Sequence, residues 1–153
     1  MPPKFSLQPV LDYRHNKVEA LEIQLAELMQ EAQQLEMTLA RLHELRGELE
    51  NELVVRQVGE IDLFAVQHLH GNIQLVEKRI EQVKAALIEA KQRVEAKRNE
   101  LVQARQDEET LNILKEKEIE RYKNEQAKVE NRMMDDVYIS QAYQQRKLGE
   151  AYL

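Results

Sequence analysis

The sequence predicts an all-α protein: an antiparallel two-helix coiled-coil hairpin whose second, C-terminal helix is the longer. Three observations lead there. Apolar residues recur in alternating steps of three and four through two runs, from Leu11, Val18, Leu21 and Leu25 to Leu53, and from Val66, Leu69, Ile73 and Val76 to Ala104. Steps that average 3.5 residues keep an apolar seam on one face of a slightly underwound helix. The runs mirror each other about Gly59, with only Val54 to Ala65 between them, so the second helix doubles back on the first. Finally, 4 Gly, 3 Pro and no Trp in 153 residues, with 42% apolar and 33% charged residues, match long helices better than a globule of varied turns.

The elements follow in order. All three prolines, Pro2, Pro3 and Pro9, lie in residues 1–9, which read as irregular up to Pro9, a residue suited to a first helical turn. Helix 1 is expected over 10–57. It meets no breaker before Gly47, beside which Arg46 occupies a seam position; a polar seam residue in a coiled coil sets register. The turn is expected at 58–61 around Gly59, although Val54 to Val58 also has strand character, with no room for a strand pair. Asp62 is the N-cap of helix 2, expected over 62–145, with 146–153 as a tail. Along it Glu89 with Arg93 and Glu95 with Arg98 are spaced for local ion pairs.

Antiparallel register brings together residues whose numbers add to 119: Leu53 with Val66, Leu39 with Ile80, Ala32 with Leu87, Leu25 with Val94, Val18 with Leu101. Helix 1 then runs out near Glu108, and an arm from about Glu109 is expected to lack an intrachain partner. If helical to Gln145 it would extend about 55 Å. The apolar phase slips where this arm begins, falling at Leu114 and Ile119 where the heptad calls for 115 and 118.

Composition excludes several function classes. A two-helix seam encloses no core, so a buried small-molecule pocket is not expected. The absence of Cys removes disulfides and thiolate nucleophiles. His68 and His70, two apart, point to different faces of a helix; His43-Glu44 lacks the second His of a zinc protease helix; Asp135 and Asp136 have no nucleophile beside them. No catalytic residue, metal site or cofactor is therefore expected, and no enzyme. The net charge of −6 is uneven: 10–57 carries 5 Lys/Arg against 10 Asp/Glu, 61–108 carries 8 against 8, and 109–153 carries 8 against 9. No segment has the basic excess that nucleic-acid binding requires. No apolar run approaches a membrane span, and the N-terminus has no signal-like stretch. The arm does carry an apolar stripe, Leu111, Leu114, Ile119, Tyr122, Val129, Met133, Val137, Ile139 and Tyr143, suited to docking on another protein or to self-association.

Three stretches, in order, resemble the FliJ family of the bacterial flagellar type III export apparatus and its injectisome counterparts of the YscO type. Phe5-Ser-Leu-Gln-Pro-Val-Leu-Asp-Tyr-Arg14 is similar to the family's F-x-L-x-x-V/L-L-x-x-R opening. Ile73-Gln-Leu-Val-Glu-Lys-Arg-Ile-Glu-Gln82 resembles a stretch containing E-K-x-I-E-Q, and Met134-Asp-Asp-Val-Tyr-Ile139 resembles the M-D-D-x-x-I close of flagellar members. The resemblance implies a non-enzymatic, cytoplasmic protein peripherally associated with the inner-membrane export apparatus, serving protein export, flagellum biogenesis and so motility and chemotaxis. Its implied partners are a hexameric export ATPase, for which it is the central stalk, the cytoplasmic domain of the export-gate membrane protein, and export chaperones that it escorts.

The arm from Glu109 is long enough to enter such a ring, and the candidate ring contacts are Leu11, Leu111, Leu114, Ile119, Tyr122, Val129, Met133 and Val137. Carried over from the family, gate contacts fall on Asn72, Val76, Arg79 and Val83, with Asn72 and Arg79 standing where the family has apolar or small residues. A general coiled-coil scaffold and a prefoldin-like chaperone are the alternatives. A prefoldin needs strand hairpins between its helices, for which Val54 to Ala65 is too short.

Overall fold

A computed structural model describes residues 4–151. It is an all-α hairpin of two helices, α1 (Gln8–Arg56) and α2 (Leu63–Ala151), packed against each other, with no strand among the described residues. By contacts the chain divides into two units, Asn16–Ala104 and a second made of Met1–His15 with Arg105–Leu153.

Both helix ends at the turn have a local cause. The last turn of α1 tightens: the Gln57 N–H is shared between the carbonyls of Leu53 (3.2 Å) and Val54 (3.3 Å), and the Val58 N–H donates to Val55 at 3.3 Å. Gly59 then takes φ +90°, a conformation that L side chains rarely adopt and that reverses the chain direction. Asp62 caps α2, its Oδ1 accepting from the N–H of Phe64 (3.1 Å) and of Ala65 (3.4 Å).

In the unit Asn16–Ala104 the seams meet in the register read from the sequence. Val18, Leu21, Leu101 and Ala104 form one buried cluster; Ala32, Leu87, Ala90 and Val94 form another, and Leu25 packs against both. The two sides of the seam are not equally covered. On α2, Leu69, Ile73, Ile80, Val83, Leu87, Ala90 and Val94 are buried, whereas on α1 Leu25, Leu28, Leu35, Leu39 and Leu42 are half-buried. A two-helix layer has no third helix to exclude water from its flanks, and the α1 leucines keep part of their surface exposed. Each fully buried aliphatic side chain still contributes about 1.5–3 kcal/mol.

Ion pairs and a hydrogen bond tie the flanks of the same unit. Lys91 reaches Glu36 (3.3 Å), Arg93 reaches Glu31 (3.6 Å), and Lys97 donates to Gln24 (3.1 Å). Two carboxylates of the acidic α1 thus meet cations supplied by α2. Arg46 does not enter the seam: it is part-exposed and pairs with Glu50 on its own helix (3.1 Å) and with Glu77 on α2 (3.3 Å). The spacings Glu89/Arg93 and Glu95/Arg98 both close, at 3.6 Å.

The unit made of Met1–His15 and Arg105–Leu153 departs from expectation in two ways. First, α2 is partnered well beyond Glu109. Lys4, Phe5, Gln8, Pro9 and Asp12 face Lys115, Glu118, Ile119 and Tyr122 across a cavity of about 550 Å3, and Leu111, Asn112, Lys115 and Tyr122 are half-buried. The residues before Gln8 are not helical, so each covers more of α2 than the 1.5 Å rise of a helical residue would. Continuous exposure begins at Lys123. Second, α2 continues past Gln145 to Ala151 where a tail is expected; extending an existing helix costs little even through Gly149. The expected irregular residues 1–3 and the final two residues of the tail lie outside the described part. At the base of the N-terminal segment, Leu11 is buried, Arg14 pairs with Asp107 at 3.0 Å and His15 Nδ1 lies 2.7 Å from Glu108 Oε1.

Candidate interaction surfaces

Among the described residues no group of three His, Cys, Asp or Glu is placed to hold a metal, and no buried side-chain nitrogen or oxygen lacks a hydrogen-bond partner. His68 and His70 are both exposed. Among the described residues no helix is long and apolar enough to cross a membrane. What the fold offers a partner is apolar surface.

The candidate ring-contact residues divide into three kinds. Leu11 is 6% exposed and belongs to the packing of the N-terminal segment. Leu111 and Tyr122 are half-buried, and Leu114 and Ile119 are 42% and 41% exposed, on the stretch of α2 that the N-terminal segment flanks. Val129, Met133 and Val137 are 52%, 64% and 56% exposed on the uncovered stretch. Steps of four place these last three on one face. Tyr122 joins that face to the covered part: it lines the cavity with Phe5 and also a shallower one, of about 290 Å3, with Gln126 and Val129. Gln126 Nε2 donates to the Tyr122 hydroxyl at 2.8 Å, which orients the ring along the helix.

The four gate positions do not form a free apolar stripe. Val83 is 2% exposed and buried in the seam, Val76 and Asn72 are half-buried, and only Arg79 is exposed, donating to Gln82 at 3.5 Å. A period of 3.5 explains this, since Val76 and Val83 are one heptad apart and both fall at the seam.

A surface that the sequence reading treats only as a turn is more exposed than either set. Val54, Val55, Val58, Ile61, Leu63 and Phe64 lie within eleven residues and are all at least 60% exposed; Phe64, at 84%, exceeds every other large apolar residue described. The signal was present in the density of β-branched and aromatic residues around Gly59, where turns ordinarily carry polar ones.

The fold and these surfaces define an all-α helical hairpin with exposed apolar surface. The chain belongs to the flagellar FliJ protein family, whose model matches residues 3–147. It is accordingly a component of the flagellar export apparatus, from a family of non-catalytic components. No curated protein and no solved structure matches it.

Proposed function

We propose that this chain is the central stalk of the hexameric export ATPase ring, that it links the ring to the cytoplasmic domain of the export gate, and that it escorts emptied export chaperones. It works in the cytoplasm at the inner membrane, without chemistry of its own. The observation that carries the stalk reading is the uncovered apolar face Val129, Met133 and Val137 on a stretch of α2 that no other part of the described chain packs against. An amphipathic helix with its apolar face in water is a recognition element, and docking buries that face. Family membership supports the identity of the partner.

The experiment is truncation at the point where exposure begins. A chain ending at Lys123 retains the seam and the stretch of α2 that faces Phe5. It is expected to melt as the full chain does, to lose co-purification with the ATPase and to fail to restore motility. Retention of ATPase binding and motility would overturn the stalk reading.

A further inference from the structure

The apolar face proposed to meet the ATPase does not begin where α2 becomes exposed. Ile119, Tyr122, Gln126, Val129, Met133 and Val137 follow one another in steps of three and four, and so lie on one face of the helix. The far part of that face is bare, with Val129, Met133 and Val137 52–64% exposed, whereas the near part faces Phe5 and Pro9 across the cavity of about 550 Å3. Tyr122 stands at the boundary, shared by that cavity and the shallower one with Gln126 and Val129. The cover is slight. Of residues 4–7, which precede α1, only Phe5 is half-buried, while Lys4, Ser6 and Leu7 are exposed. A close-packed contact leaves no void of that size. Firm anchorage begins further on, where Leu11 is buried, Arg14 meets Asp107 at 3.0 Å and His15 lies 2.7 Å from Glu108.

We infer that residues 4–7, through Phe5, compete with the ATPase for this face: they lie over Ile119 and Tyr122 in the free chain and swing away about the start of α1 when the ATPase docks. The inference rests on the stalk reading and adds to it a built-in restraint. A partner that follows the bare face from Val137 through Val129 meets Tyr122 next, and there it meets Phe5 as well. Two apolar groups cannot cover one surface, so docking along the whole face requires Phe5 to leave. Its departure exposes one aromatic side chain that was only partly buried, and the anchors from Leu11 to His15 stay in place. The apparent affinity for the ATPase is then reduced by the fraction of chains whose face is uncovered. Partial burial of one Phe holds that fraction at roughly a third to a tenth.

The test measures binding of the full chain to its purified export ATPase by calorimetry. The chains compared are the wild type, Phe5→Ala, and Phe5→Cys combined with Lys115→Cys, the last either closed by a bismaleimide or capped at both thiols with N-ethylmaleimide. The chain has no Cys of its own, so the link joins those two positions alone, and Lys115 lines the same cavity as Phe5. Phe5→Ala is expected to bind about three- to tenfold tighter than wild type, with the melting temperature of the hairpin little changed. The linked chain is expected to bind about tenfold or more weakly than the capped one. Equal or weaker binding by Phe5→Ala overturns the inference, and the weaker case makes Phe5 part of the docking surface instead. Equal binding by the linked and capped chains overturns it as well, since the ATPase then docks without the cover leaving. Failure of the two thiols to link shows that the segment does not lie on α2, with the same consequence. If none of these chains binds the ATPase, the stalk reading falls and this inference with it.

Discussion

Helix α2 carries two apolar stripes of similar residue types with opposite fates. Ile73, Ile80, Val83, Leu87 and Val94 are 2–9% exposed, whereas Val129, Met133 and Val137 are 52–64% exposed. One helix, one composition and nearly one period therefore yield a seam in one place and bare surface in another. The difference is the presence of α1, whose leucines cover the first stripe. Amphipathicity records the capacity to bury a face; burial requires a partner at the same level. Where the described chain supplies none, the stripe stays in water.

The largest effect that would break this comparison is a charge placed in each stripe. Ile80→Asp puts a carboxylate at a position 2% exposed, with no cation within the seam to meet it, and is expected to cost about 3–5 kcal/mol. Val137→Asp, already in water, should change stability by less than about 0.5 kcal/mol. Thermal melts by circular dichroism decide it, and equal shifts would mean the two stripes are not different in kind.

Binding should invert the order. Met133→Ala and Val129→Ala are each expected to weaken ATPase binding by about 1–3 kcal/mol at unchanged melting temperature, measured by calorimetry against the purified ATPase. Ile80→Val, conservative within the seam, should leave that affinity alone while lowering the melting temperature. Loss of ATPase affinity on the seam substitution and none on the exposed ones would reverse the assignment.

Smaller effects sharpen the account of what holds the seam in place. Asp62→Ala removes the acceptor for two N–H groups at the start of α2 and should cost about 1 kcal/mol, read from urea denaturation. Arg46→Ala breaks two part-exposed ion pairs and should cost no more than about 1 kcal/mol, declining as salt is raised. A cost of several kcal/mol would place Arg46 in the seam after all. Register itself is checked by engineered cysteines: Leu25 with Val94 should form an intramolecular disulfide on oxidation, and Leu25 with Ile73, more than five helical turns along α2 from Val94, should not.

What the sequence determined by itself is whatever depends on near neighbours in the chain or on strict periodicity. The spacing of apolar residues established the helices and their pairing, because the 3.5-residue period leaves one face for a seam and Gly59 leaves one place to reverse. Asp62 as a cap and the pairs Glu89/Arg93 and Glu95/Arg98 were legible for the same reason: their partners lie within four residues. Only the tertiary structure decided that Lys4 to Asp12 flanks α2 as far as Tyr122, since the reach of a non-helical lead-in has no periodic signature. It likewise decided that Arg46 turns out of the seam toward Glu77, that Val76 and Val83 are consumed by packing, and that the apolar turn residues stay in water. Each of these outcomes depends on which side chains arrive at the same level from distant parts of the chain, and a stripe's pattern is the same whether or not anything arrives to cover it.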